Sequence, residues 1–137
     1  MQTQKSPLIV NTGAIASIGD NYTGAIKDTY GTNYIGLPTS GAYAITVQNN
    51  ATGGQLRASV VADLGDSVQV TPLSGTAGVG ASISLGTYTP PGGATSVVLV
   101  IINQVISGGA CANRAYMASV TNAVALNEKL YLPLISR

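Results

Sequence analysis

Apolar and polar residues alternate along residues 43–48, with Tyr43, Ile45 and Val47 on one side and Ala44, Thr46 and Gln48 on the other. A period of two belongs to a strand with one buried face. The run Asn49-Asn50-Ala51-Thr52-Gly53-Gly54 that follows supplies turn-forming residues. The alternation then returns, with Leu56, Ala58, Val60, Ala62 and Leu64 opposed to Arg57, Ser59, Val61 and Asp63, and closes at Leu64-Gly65-Asp66. Val68 and Val70 alternate with Gln69 and Thr71 up to Pro72, and Ile83 and Leu85 with Ser82 and Ser84. This last strand runs towards Tyr88, where Pro90-Pro91-Gly92-Gly93 turns the chain. Between the two lies the glycine-rich stretch 74–80, expected to be a long flexible loop.

Elsewhere the pattern changes. Val97-Val98-Leu99-Val100-Ile101-Ile102 is continuous and β-branched, the composition of a strand covered on both faces, so a central strand is predicted over residues 97–106. Two more strands are predicted at 116–121 and 130–135; Pro133 lacks an N–H and makes the last an edge strand or a bulge. The alanines of residues 110–126 would also suit a helix. Residues 1–40 carry isolated hydrophobics in neither period and read as an irregular or extended arm.

Seven candidate strands without a convincing amphipathic helix predict an all-β fold. The expected form is an antiparallel β-sandwich, jelly-roll or immunoglobulin-like, or a small β-barrel with an irregular N-terminal arm. With 137 residues the chain is expected to be a single domain, residues 1–40 the arm and 41–137 the sandwich core.

Composition adds that the surface is poor in charge. Only 8% of residues are charged, against about a quarter in an ordinary soluble domain, so Thr, Ser, Asn, Gln and Gly must cover it, and little repulsion keeps copies apart. The net charge is +1 and the basic residues are scattered, with no Phe or Trp to stack on bases, so no nucleic-acid partner is expected. The longest apolar stretch is too short to span a bilayer, so neither is membrane insertion. The single Cys111 cannot form an internal disulfide, and no apolar run of signal-peptide length stands near Met1; use without export is expected unless a leader was removed.

Candidate chemistry is sparse. The chain has no His, which removes the commonest general base and metal ligand, and Glu128 is its only Glu. Asp63 and Asp66 could share a cation, yet Asp63-Leu64-Gly65-Asp66 reads better as a turn capped by its own Asp. Cys111, three residues before Arg114, lacks the basic partner that makes a reactive thiolate. The glycines of 75–80 satisfy no phosphate-loop pattern. Asn21-Tyr22-Thr23 and Asn50-Ala51-Thr52 match the glycosylation pattern and fall in expected loops. No catalytic, cofactor or metal residues are therefore assigned, and no enzyme is expected.

What the sequence predicts is a non-enzymatic structural subunit of a self-assembling particle, located in a virion as a capsid, decoration or spike component. Its partners would be copies of itself and other subunits. Leu8, Ile9, Val10, Ile15 and Ile18 on the arm are the expected subunit interface, as hydrophobics that one irregular arm is not expected to bury within its own domain. The alternatives are an extracellular or cell-surface filament subunit joined by strand exchange, and a carbohydrate- or partner-binding module with Tyr22, Tyr30, Tyr34 and Tyr88 as stacking residues.

Overall fold

The computed structural model describes residues 11–27, 31–104 and 114–122. Within them lie nine strands and no helix: β1 (Gly13–Ala14), β2 (Asn21–Ile26), β3 (Thr32–Leu37), β4 (Tyr43–Asn49), β5 (Gln55–Asp63), β6 (Val68–Pro72), β7 (Ser82–Tyr88), β8 (Ser96–Gln104) and β9 (Arg114–Asn122). They form a five-stranded sheet in the order β1-β3-β8-β5-β6 and a four-stranded sheet in the order β2-β9-β4-β7. Every pairing is antiparallel except the short one between β1 and β3. Two open sheets packed on one shared core make a β-sandwich, and the barrel alternative is set aside.

The core follows from the alternation. Leu56, Ala58, Val60 and Ala62 of β5 and Val97, Leu99 and Ile101 of β8 point from the larger sheet towards Tyr43, Ile45 and Val47 of β4 and Tyr116, Ala118 and Val120 of β9. All are nearly or fully buried. A polar bond ties the sheets together inside this layer: Asn33 Nδ2 on β3 donates to the Tyr116 hydroxyl on β9 at 2.7 Å. A buried Asn costs stability unless bonded, and here its amide also donates to Ala25 O at 3.2 Å.

The arm expected over residues 1–40 is corrected from residue 13 on, where the chain runs through three strands in both sheets. Period counting misses them for a packing reason. Gly24 of β2 sits under the rings of Tyr22 and Tyr116, where a Cβ would lie 2.8 Å from each side chain, so small residues stand where a pattern would place large ones. Ile15, offered above as an interface residue, is 2% exposed in the core of its own chain, and Ile18 packs against that core. Leu8, Ile9 and Val10 lie outside the described residues, as do Cys111, Glu128 and the strand expected at 130–135.

One further expectation changes and one ambiguity is resolved. The stretch 74–80 is anchored, because Leu56 and Ala77 exchange both backbone bonds, at 3.0 and 2.9 Å, and Ala77 is fully buried. The described part of 110–126, Arg114–Asn122, is the strand expected around Tyr116 and not a helix. The Asp63 turn forms as read: Gly65 N–H donates to Asp63 Oδ1 at 2.9 Å, with Gly65 at φ +99°, which favours glycine.

Candidate interaction face

Each sheet has one face in the core, and the strand pairings fix what the other face displays. On the five-stranded sheet the outward residues fall into rows across the strands. Gly36, Val98, Val61 and Val70 lie side by side, and Tyr34, Val100, Ser59 and Pro72 form the next row. Thr32, Ile102 and Arg57 continue it at one end, and Ser96, Asp63 and Val68 at the other. The result is a band of Val, Ile, Tyr and Pro. Val68 is 61% exposed, Val70 57% and Ile102 39%; Tyr34, Val61 and Val100 are half-buried and Val98 is buried.

β6, the edge strand, carries the band furthest. Its pairing to β5 places Val68, Val70 and Pro72 on the outer face and Gln69 and Thr71 on the other, opposite Ala62 and Val60, where Gln69 is exposed and Thr71 half-buried. Slipping one residue would exchange the two sets, so the observed register leaves the strand's valines in water. The four-stranded sheet differs: its outward positions carry Ala44, Thr46 and Gln48 on β4, Ser82 and Ser84 on β7, and Ala115, Met117, Ser119 and Thr121 on β9.

Charge on the apolar band is confined to its two ends. Arg57 and Asp63 are the only charged residues in the five strands of this sheet. They stand six residues apart on β5 with Ser59 and Val61 between them on the same face. At about 3.4 Å per residue the separation is about 20 Å.

The interior holds a second polar cluster. Arg114, at the start of β9, is 3% exposed; its Nε donates to Asn103 Oδ1 and its Nη1 to Gly53 O. Asn49 Nδ2 donates to Ala77 O at 3.0 Å and to Gly54 O at 3.3 Å, while its Oδ1 accepts from Ala51 N–H at 2.9 Å. Gly54 is required here on two counts: it has φ +81°, and a Cβ would coincide with the Arg114 guanidinium. These groups satisfy one another and the turn after β4, which is a structural role.

The tyrosines proposed for stacking separate. Tyr88 is 4% exposed with its ring centroid 5.8 Å from that of Tyr43, Tyr22 lies 6.4 Å from Tyr116, and only Tyr34 faces outward on the band; Tyr30 is outside the described residues. Burial, and then the neighbouring Tyr88, raise the Tyr43 hydroxyl well above the usual phenol range. Burial likewise raises Tyr88. In Tyr116 burial outweighs the bond from Asn33. These are filling groups held neutral, unsuited to a sugar platform. Asn21 and Thr23 of the first glycosylation pattern lie on β2 and not in a loop; Asn50 follows β4 and is exposed.

Among the described residues no three His, Cys, Asp or Glu gather as a metal site would require, and no helix is long and apolar enough to cross a membrane. No family model matches the chain, and no curated protein matches it. Among solved structures it is similar to the pre-peptidase C-terminal domain of a collagenase from Bacillus anthracis, with a TM-score of 0.52 and 13% identity over 86% of this chain and 100% of that one. A likeness at that identity speaks for the fold.

Proposed function

We propose that this chain is a non-enzymatic β-sandwich module that works by binding another protein surface through the outer face of its five-stranded sheet. The observation that carries the reading is the outward alignment that register imposes on β8, β5 and β6, which sets the exposed Val70 beside Val61 and Val98, with the exposed Val68 and Ile102 in the rows beyond. Contiguous exposed apolar residues mark interaction sites. The absence of His from the whole chain supports a role without acid–base chemistry. The shared fold supports it too, since in the collagenase this architecture serves as one domain of a protein.

A virion shell would need at least two distinct contact surfaces per subunit in order to extend. The band is one surface, so the binding-module reading stands ahead of the virion one, and extracellular use is as compatible with it as virion use. The test uses the full chain isolated with its natural partner. Val70→Asp combined with Ile102→Asp should leave the fold intact by circular dichroism and release the chain from the complex, whereas Ser84→Asp on the opposite sheet should not. A face variant that stays in the complex overturns the reading.

A further inference from the structure

We infer that the partner seated on this face is a second copy of the same chain, paired about a two-fold axis that lies in the interface and runs across the strands at the level of Val60. The inference rests on the proposed binding face and adds the identity of its occupant.

The argument is the placement of charge. A face that pairs with itself must be complementary to its own image. With the axis at that level, the row containing Ser59 meets the row containing Val61 of the other copy, and Arg57 meets Asp63. The sheet's two charges, opposite in sign and equally distant from the centre, then pair with each other twice. Between them Val100 lies over Val98, Pro72 over Val70, and Ser59 over Val61. Rotation about an axis running along β5 would instead leave Arg57 opposite Arg57 and Asp63 opposite Asp63, and one between β5 and β8 would leave both charges over uncharged Ile102 and Ser96, so only the first arrangement pairs the charges.

The geometry of sheets permits it. Two sheets pack face to face about 10 Å apart with strands within about 30° of each other. The four outward rows over β3, β8, β5 and β6 give a footprint of roughly 20 Å by 20 Å per partner from strand spacing and rise. That lies at the small end for specific complexes, so the pair should be reversible.

The test is sedimentation equilibrium of the full-length chain from about 1 μM to 1 mM. A monomer–dimer equilibrium is expected. Arg57→Asp places acid against acid at both ends and should weaken the dimer at least about tenfold; adding Asp63→Arg should restore it; Val70→Asp should abolish it, all with the melting temperature unchanged at the dilute end, where the chain is monomeric. A chain monomeric at every concentration overturns the inference. So does a dimer indifferent to Arg57→Asp and Val70→Asp, or a double variant that fails to recover. If the chain is monomeric and Val70→Asp lowers the melting temperature, a segment of the same molecule covers the band. If it is monomeric yet Val70→Asp still releases the natural partner, the face stands and self-pairing falls.

Discussion

The two sheets of this sandwich bury similar inner faces and present opposite outer ones. Both inner faces are built from alternating Leu, Ile, Val, Ala and Tyr. Outside, β4 and β7 show Thr46, Gln48, Ser82 and Ser84, while β8, β5 and β6 show Val100, Ile102, Val61, Val68 and Val70 around a buried Val98. A solvated sheet face needs only residues that suit a pleat and bond water, as Thr and Ser do. A second apolar face adds nothing to the single domain and costs solubility. On the proposed reading, the difference makes one sheet the scaffold and the other the binding surface.

The sharpest way to break this comparison is to change adjacent residues on opposite sides of β8. Leu99→Asp puts a carboxylate into a fully buried site and should leave no soluble folded protein, since large-to-small changes alone cost about 2–5 kcal/mol in cores. Val100→Asp, one residue on and facing outward, should stay folded and cost under about 1 kcal/mol. Equal effects on expression and circular dichroism would mean that β8 is covered on both sides within the monomer.

Next in size is Gly54→Ala, which forces a Cβ into the Arg114 guanidinium at a positive φ. A loss of about 2–4 kcal/mol is expected in urea unfolding, from strain and the displaced buried cation together. Tyr116→Phe should cost about 1–2 kcal/mol by removing the acceptor of Asn33 inside the sandwich. Its test is whether the loss disappears in an Asn33→Ala background, as a double-mutant cycle requires if the pair is what links the sheets.

A pH titration separates inside from outside more gently. Tyr43, Tyr88 and Tyr116 all have folded pKa values above the phenol value of about 10. The folded state thus holds protons that the unfolded state releases, so their contribution to stability is complete below pH 10 and declines as pH rises beyond it. Chemical denaturation midpoints should be level from pH 7 to about 9 and fall above 10. The smallest stability effects belong to the two outer faces, where Val70→Asp and Ser84→Asp should each stay within about 0.5 kcal/mol. They should differ only in association.

Much of the architecture was legible in the alternation. The strands expected around Tyr43, Leu56, Val68, Ile83, Val97 and Tyr116 all exist within a residue or two of their predicted starts. What escaped were strands in which an inward position is polar or empty and breaks the alternation. β3 turns Asn33 inward, where Tyr116 satisfies it, and β2 uses Gly24 to make room for two rings; a period-two count cannot see a polar or absent side chain made acceptable by a partner far along the chain. The continuous run in β8 predicts cover on both faces, and the outward face meets that in part: Val98 is buried and Val100 half-buried, while Ile102 is 39% exposed. The run is apolar because both faces are, while only one lies in the core. The band needed register as well as pattern, because nothing in Val68-Gln69-Val70-Thr71 tells which pair of residues faces in.

The position of β9 between β2 and β4 also governs when the molecule can form. β8 completes the ladder from β3 through β5 by residue 104, but β2 and β4 share no backbone bond until residues 114–122 come between them. At about 5–20 residues per second on the ribosome, the five-stranded sheet can therefore assemble while the four-stranded one still lacks its middle. During that interval the smaller sheet can offer only β4 with β7 as cover for the larger sheet's inner surface. Synthesis thus passes through a stage at which the inner surface of the larger sheet is incompletely covered, and that surface closes only when β9 joins β2 to β4.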